Sequence, residues 1–450
     1  MVIMMTLRVG MVSLGCPKNQ VDAEMILAQF AEAGYEITGD AGLADIVIVN
    51  TCGFIEDAKT ESIENILEFC TLKAEGRIKR VVVTGCLAER YRDEVAKEIP
   101  EADVIAGIGC NHQLVALVEE SLGKEGQLCR YGAKEALPLS GNRVLTTLPF
   151  FAYVKIAEGC DNCCSYCAIP AIRGRYRSRA KEEILEEAEK LAKGGVTELV
   201  LVAQDTTRYG EDLYENYRLA DLLEELAKIP GLHWIRTLYN YPERITDKLI
   251  DTVAAHENLV SYFDIPIQHC CDEILARMNR RGDRAMIEDV VKRIRAKIPH
   301  ATLRTTLIAG FPGETKGQFG ELARFVQEMK FDRLGCFAYS PEEGTPAAEL
   351  PGQVPDEEKR RRADIIMDEQ MTVLERKQQK LVGKTLEVVV EGYDRYAECF
   401  FGRSAMDAPD IDTKVFFDAP KGLQMKLGSY VKVKMNEMVE GDLMGELAEE

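Results

Sequence analysis

AEGCDNCCSYCAIPAIRGRYRSR, residues 157–179, is the stretch from which the rest of the chain is best read. Cys160, Cys164 and Cys167 stand in a C-x3-C-x2-C run. A closed structural zinc site asks for four ligands, and no fourth Cys or His follows nearby. Three thiolates on a four-iron cluster leave one iron open, and an open iron can bind and reduce a substrate. The run follows the apolar stretch FAYVKIAEG (151–159), so the spacing predicts a loop after a strand. Cys163 offers a second C-x3-C register with Cys167, but that register finds no third ligand. Free cysteines seldom cluster this densely without a metal.

Working outward toward the N-terminus, residues 6–125 alternate between strand and helix patterns. TLRVGMVSLGC ends at Cys16, ADIVIVNTC at Cys52, RIKRVVVTGC at Cys86 and DVIAGIGC at Cys110. Strands alternating with helices predict an α/β domain with a doubly wound parallel sheet, which places ligands at the carboxyl ends of its strands. Cys16, Cys52 and Cys86 each end a strand beside a glycine (Gly15, Gly53, Gly85), so thiols far apart in sequence can converge on one edge. Position alone does not set Cys110 apart from these three. Cys70 falls on a helical stripe with Ile63, Ile66 and Leu67 and reads as core.

Residues 126–148, with Gly126, Gly132, Pro138 and Gly141, read as a linker. Alternation resumes over 149–378, where six strand–helix units predict a partial (β/α) barrel with its chemistry on the loops after the strands. Gln204 and Asp205 end one strand and are candidates for holding an amino-acid moiety, with helix capping as the plain alternative. Gly310, Pro312 and Gly313 form a turn that lets the backbone approach an adenine. Arg173, Arg175, Arg177 and Arg179 alternate and would share one face of an extended segment, there to bind a carboxylate or phosphate. His269 ends a strand and is a weaker candidate. PDEEKRRRADIIMDEQMTVLERKQQK (355–380) is a charged linking helix. Residues 379–447 read as a small all-β barrel.

At 450 residues, 46% hydrophobic and 29% charged, the chain is globular and long enough for several domains. No apolar run reaches the ~18 residues that a membrane span needs. Fourteen cysteines and no secretory pattern at the start predict a reducing, cytoplasmic setting. The net charge of −19 argues against a general nucleic-acid coat and suits a basic partner. Residues 379–450 hold nine basic and fourteen acidic side chains, where an RNA-binding barrel would normally be basic.

Residues 6–447 resemble the methylthiotransferase family of radical S-adenosylmethionine (SAM) enzymes. The likeness rests on SLGCPKN, NTCGF and VTGC around Cys16, Cys52 and Cys86, on the Cys160–Cys164–Cys167 run, and on RGRYRSR, FPGET and YSPEEGTPA. It implies an N-terminal methylthiotransferase domain (6–125), a radical SAM domain (149–378) and a TRAM β-barrel (379–447). It also implies two 4Fe–4S clusters. Cys160, Cys164 and Cys167 would hold the catalytic one and Cys16, Cys52 and Cys86 an auxiliary one; Cys110 has no counterpart. SAM contacts would come from Gln204, Asp205, Arg177, Gly310, Pro312 and Gly313.

SLGCPKNQVDAE, YNYP (239–242), IPIQHCC (265–271) and GRSAMDAPDID (402–412) resemble the branch of the family that acts on the twelfth small-subunit ribosomal protein. That branch implies transfer of a methylthio group to an aspartate β-carbon, with two SAM consumed. The substrate would be met free or within the ribosomal subunit, electrons would come from a flavodoxin or ferredoxin, and no membrane would be involved. Asp407, Asp410 and Asp412 are then expected to meet the basic substrate. The alternative is the family's tRNA branch, acting on isopentenyl-adenosine. A SAM methylase with purely structural extra cysteines and a non-enzymatic RNA-binding protein are more distant readings.

Overall fold

The computed structural model describes residues 6–420 and 422–448, which form two compact units. The first holds the residues up to Thr146 together with Ala157–Arg179 and Ser340–Ala348. The second holds Thr147–Ile156, Ala180–Tyr339 and the residues from Glu349 on. The 157–179 loop belongs to the compact unit of the N-terminal sheet.

The first unit is built on a six-stranded parallel sheet. Its strands are β1 (Arg8–Ser13), β2 (Glu36–Thr38), β3 (Ile46–Thr51), β4 (Arg80–Gly85), β5 (Val104–Ala106) and β6 (Leu128–Arg130), in the order β2-β1-β3-β4-β5-β6. β3 is buried along its whole length, as a continuous apolar run demands of a strand covered on both faces. Helices α1 (Pro17–Glu32), α2 (Glu56–Ala74), α3 (Cys86–Glu98) and α4 (Leu114–Leu122) supply that cover. One apolar cluster joins Val47, Val49, Val81 and Val83 to Ile66, Phe69 and Cys70 of α2. A second joins Ile46, Ile48 and Val82 to Ile26 and Phe30 of α1 and to Cys110. Cys70 is therefore core, as its spacing predicts, although Ile63 and Leu67 of the same stripe are exposed.

Phe151–Lys155 (β7) opens the second unit, whereas Ala157–Glu158 (β8) and Arg177–Ser178 (β9) belong to the first, paired antiparallel. In the second unit, β10 (Glu198–Val202), β11 (Trp234–Thr237), β12 (Leu259–Asp264), β13 (Thr302–Ala309) and β14 (Arg333–Ala338) join β7 in the order β14-β13-β12-β11-β10-β7, all parallel. Consecutive strands are neighbours, the order of a barrel opened between its first and last strands. Five further strands close a small barrel: β15 (Thr385–Asp394), β16 (Cys399–Ser404), β17 (Val415–Asp418), β18 (Tyr430–Val439) and β19 (Asp442–Leu447).

The segment after β16 corrects the reading of Asp407, Asp410 and Asp412 as a substrate-facing acidic loop. Asp407 and Asp412 are buried against the parallel strands, and Asp410, although exposed, accepts a hydrogen bond from one of them. Arg333 of β14 ion-pairs with Asp407, its Nε lying 3.1 Å from Oδ1. Tyr262 of β12 donates to Asp412 at 2.5 Å, and Arg304 of β13 lies 3.6 Å from the same carboxylate. Tyr153 of β7 donates to Asp410 at 3.1 Å. Arg403 of β16 ion-pairs with Glu198 of β10, and Arg236 of β11 donates to the Ala405 carbonyl at 3.0 Å. All six strands thus bring a side chain to residues 403–412, so the sheet is curled around this segment. Glu198, Arg304 and Arg333 make their contacts from the amino-terminal halves of their strands, and Tyr153, Arg236 and Tyr262 from further along. The physical reason is charge: barrel arginines that face inward must be neutralised, and the aspartates do it.

Asp407→Asn should therefore act on stability. The side chains of Arg333 and Asp407 are 7% and 3% exposed, and removing one partner of a buried pair costs about 3–5 kcal/mol. Urea unfolding should show a lower midpoint with an unchanged slope.

Candidate cluster-binding site

The sheet register brings Cys16, Cys52 and Cys86 together. β1, β3 and β4 are adjacent, with Ser13 opposite Asn50 and Thr51 opposite Gly85. Cys52 and Cys86 each follow their strand by one residue and so occupy matching positions. Cys16 caps α1 three residues beyond β1. The glycines make the approach possible. A Cβ on Gly15 would lie 2.8 Å from the Cys52 sulfur, one on Gly53 would lie 2.8 Å from the Leu87 backbone, and one on Gly85 would lie 2.5 Å from the Thr51 backbone. Each glycine beside one cysteine thus presses on a neighbouring strand-end loop. Cys110 also follows its strand, but its thiol is packed into the apolar core, which separates it from the three.

The electrostatics are uneven. Burial acts to raise the Cys16 thiol, yet the Lys18 and Arg173 charges and the Asn19 and Lys18 amides outweigh it and hold the thiol below its usual value. Burial and the neighbouring Cys86 push Cys52 up to about 12. Burial raises Cys86 as well, against the opposing charge of Arg173.

The second triad lies in the same unit. β8 and β9 close the base of the loop that carries Cys160, Cys164 and Cys167. The Cys160 amide donates to Gly174 O and the Cys167 amide to Cys164 O, each at 3.1 Å. Cys163 is exposed with a positive φ. The loop continues into a short helix, α5 (Ile169–Arg173), whose Ile172 packs with Ala168 and Cys86. A cavity of about 500 Å³ beside the loop is lined by Cys160, Asp161, Cys163 and Arg175 and by the 132–135 segment.

The four arginines do not share one face. Arg173 closes α5 and is buried, Arg175 is exposed, Arg179 is buried, and Arg177 donates to the carbonyls of Glu135 and Lys134. A helix followed by Gly174 at φ 77° replaces the extended segment that alternation suggested. Arg173 is the neighbour of the Cys86 thiol that sequence reading under-described. Its guanidinium donates to Asp22 at 2.7 Å, Glu158 at 3.0 Å, the Asn19 side-chain Oδ1 at 3.0 Å and the Cys86 sulfur at 3.4 Å. Asn19 also donates to the carbonyls of Leu14, Asn50 and Thr51, which ties the strand ends together. The only signal for Asn19 and Asp22 in the sequence was their place just after Cys16 in CPKNQVDAE.

Two triads of thiols with an adjacent guanidinium form a donor set that fits two clusters. Among the described residues no three His, Cys, Asp or Glu side chains are gathered around a point fit for one metal ion. A cubane does not need that arrangement, because each thiolate binds a different iron.

In the second unit the candidate SAM contacts have partners in the protein. Asp205 caps the turn Thr206–Arg208 and pairs with Arg244 at 3.0 Å, the capping role its position allowed. Gln204, half-buried, directly precedes it. In the glycine turn, the Gly310 and Phe311 amides donate to Glu314, and the Gly313 amide donates to Gly352 O. Pro312 O accepts from Arg277. A Cβ on Gly310 would meet Lys359 at 2.5 Å and one on Gly313 would meet Arg277 at 2.1 Å, so these glycines admit protein groups. His269 is fully buried and accepts the Cys271 amide, and burial with Arg277 nearby lowers it to about 3, so the imidazole is neutral.

Comparison with known proteins gives the family. Models of the Uncharacterized protein family UPF0004, the Radical SAM superfamily and the TRAM domain match residues 8–107, 154–326 and 382–448. Among solved structures, the radical SAM methyltransferase TsrM from Kitasatospora setae covers 75% of each chain at a TM-score of 0.55. Its 15% identity makes this a likeness of fold alone. A curated Ribosomal protein uS12 methylthiotransferase RimO from Thermoanaerobacter sp. (strain X514) is 47% identical over 97% of this chain and 99% of its own length. That of Clostridioides difficile (strain 630) is 47% identical over 98% and 99%, and that of Pelotomaculum thermopropionicum is 48% identical over 98% and 99%. These relatives favour the ribosomal-protein branch over the tRNA branch. With two cysteine triads in place and this identity along nearly its whole length, the chain belongs to the RimO family of ribosomal protein uS12 methylthiotransferases, which are radical SAM enzymes.

Proposed function

We propose that this protein transfers a methylthio group to the β-carbon of an aspartate in ribosomal protein uS12. The observation that carries the reading is the pair of cysteine triads in one compact unit, Cys16–Cys52–Cys86 on adjacent strand ends and Cys160–Cys164–Cys167 on the loop closed by β8 and β9. Bound 4Fe–4S clusters and SAM supply the electron, the radical and the sulfur chemistry. The chain's own part is to hold each cluster by three thiolates, to bring the strand ends close through Gly15, Gly53 and Gly85, and to bury the site.

The protein would act in the cytoplasm, with electrons from a flavodoxin or ferredoxin. Among the described residues no helix is long and apolar enough to cross a membrane. Intact-mass analysis of uS12 from cells with and without this gene tests the proposal. The expected result is loss, without the gene, of the mass added when one hydrogen is replaced by a methylthio group. An unmodified uS12 in both strains, or methylthio nucleosides vanishing from tRNA instead, would overturn it.

A further inference from the structure

Arg173 reaches two places at once. It lies six residues beyond Cys167, at the end of α5, so its backbone is continuous with the loop of the radical SAM triad. Its guanidinium is buried at 1% exposure against Cys86 of the other triad and against α1, the helix that Cys16 caps. Asp22 on α1 and Glu158 in β8 flank it, the first at 2.7 Å and the second at 3.0 Å. Asn19 fixes the plane of the fork through its side-chain Oδ1 at 3.0 Å. Two carboxylates already neutralise one buried cation, so a third, sulfur-directed contact is more than charge balance requires.

We propose that Arg173 is a positioning residue of the auxiliary site: it holds the radical SAM loop against the Cys86 strand end, and its N–H donated to the Cys86 sulfur raises the reduction potential of the auxiliary cluster. The physics is direct. Reduction adds negative charge to the cluster and its sulfurs, and a hydrogen bond to a ligating sulfur, like a nearby positive charge, favours the reduced form. Arginine suits the position because its planar fork can serve Asp22, Glu158, Asn19 and Cys86 together, which an ammonium cannot do.

The inference rests on reading Cys16, Cys52 and Cys86 as cluster ligands, so the test separates the two. The full chain carrying Cys160→Ala, Cys164→Ala and Cys167→Ala would hold only the auxiliary cluster, whose midpoint is read by an EPR-monitored redox titration. Adding Arg173→Met should lower that midpoint. Arg173→Lys, which keeps the charge but not the fork, should fall between. Asp22→Asn, which leaves Arg173 and removes one neutralising carboxylate, should raise it. Opposite shifts from two substitutions in one network are not what general loosening of the fold produces. If Arg173→Met binds no iron, Asp22→Asn decides alone. A parent variant without iron removes the ligand reading and this inference with it. A parent with iron whose midpoint does not move in Arg173→Met, or does not rise in Asp22→Asn, removes only the inference.

Discussion

Replacement of Cys160, Cys164 and Cys167 together by alanine is expected to abolish reductive cleavage of SAM and to leave about half of the iron, as the proposed assignment of each cysteine triad to a separate cluster requires. Cys160 and Cys164 are buried and all three sit on a loop whose backbone is held independently, by the β8–β9 pair and by the Cys160 amide on Gly174. The loop should therefore survive loss of its thiols, so the variant tests chemistry and not folding. Iron analysis and 5′-deoxyadenosine formation read the two halves of the result. Full iron content, or cleavage at the normal rate, would sink the assignment.

The complementary variant, Cys16→Ala with Cys52→Ala and Cys86→Ala, should also retain about half the iron but should still cleave SAM while forming no methylthio product. Its three sites lie on adjacent strand ends, and the glycines that let those ends close remain in place. The buried β3 and β4 should hold the sheet, and Cys-to-Ala truncation at its edge removes little apolar surface. Product formation on uS12 at the normal rate would show that these thiols hold no cluster the reaction needs.

Much of the fold was legible because its signals are local. A buried parallel strand reads as a continuous apolar run such as IVIVNT, and four such runs alternating with helices announce the first sheet; its short strands β2 (EIT) and β6 (LCR) carry no such run, and β6 lies in the stretch read as a linker; six runs announce the second sheet. The loop triad was legible because its three ligands fall within eight residues. Cys16, Cys52 and Cys86 were legible in part, since strand-end position admitted Cys110 as a fourth candidate until family likeness excluded it.

The arginines and aspartates were misread for one physical reason. A charged side chain looks exposed in a sequence, because burying it alone costs several kcal/mol, and only a partner elsewhere in the chain makes burial tolerable. Arg173 finds Asp22, 151 residues away, and Arg333 finds Asp407, 74 residues away. By itself the sequence determined the strand–helix alternation, the cysteine spacing and the family. Tertiary structure alone decided which charges face inward. It turned an apparent acidic docking loop into the segment around which the barrel curls, and it set one buried guanidinium between the two cysteine triads. Pairing across such distances depends on the register and packing of whole sheets, which no local pattern encodes.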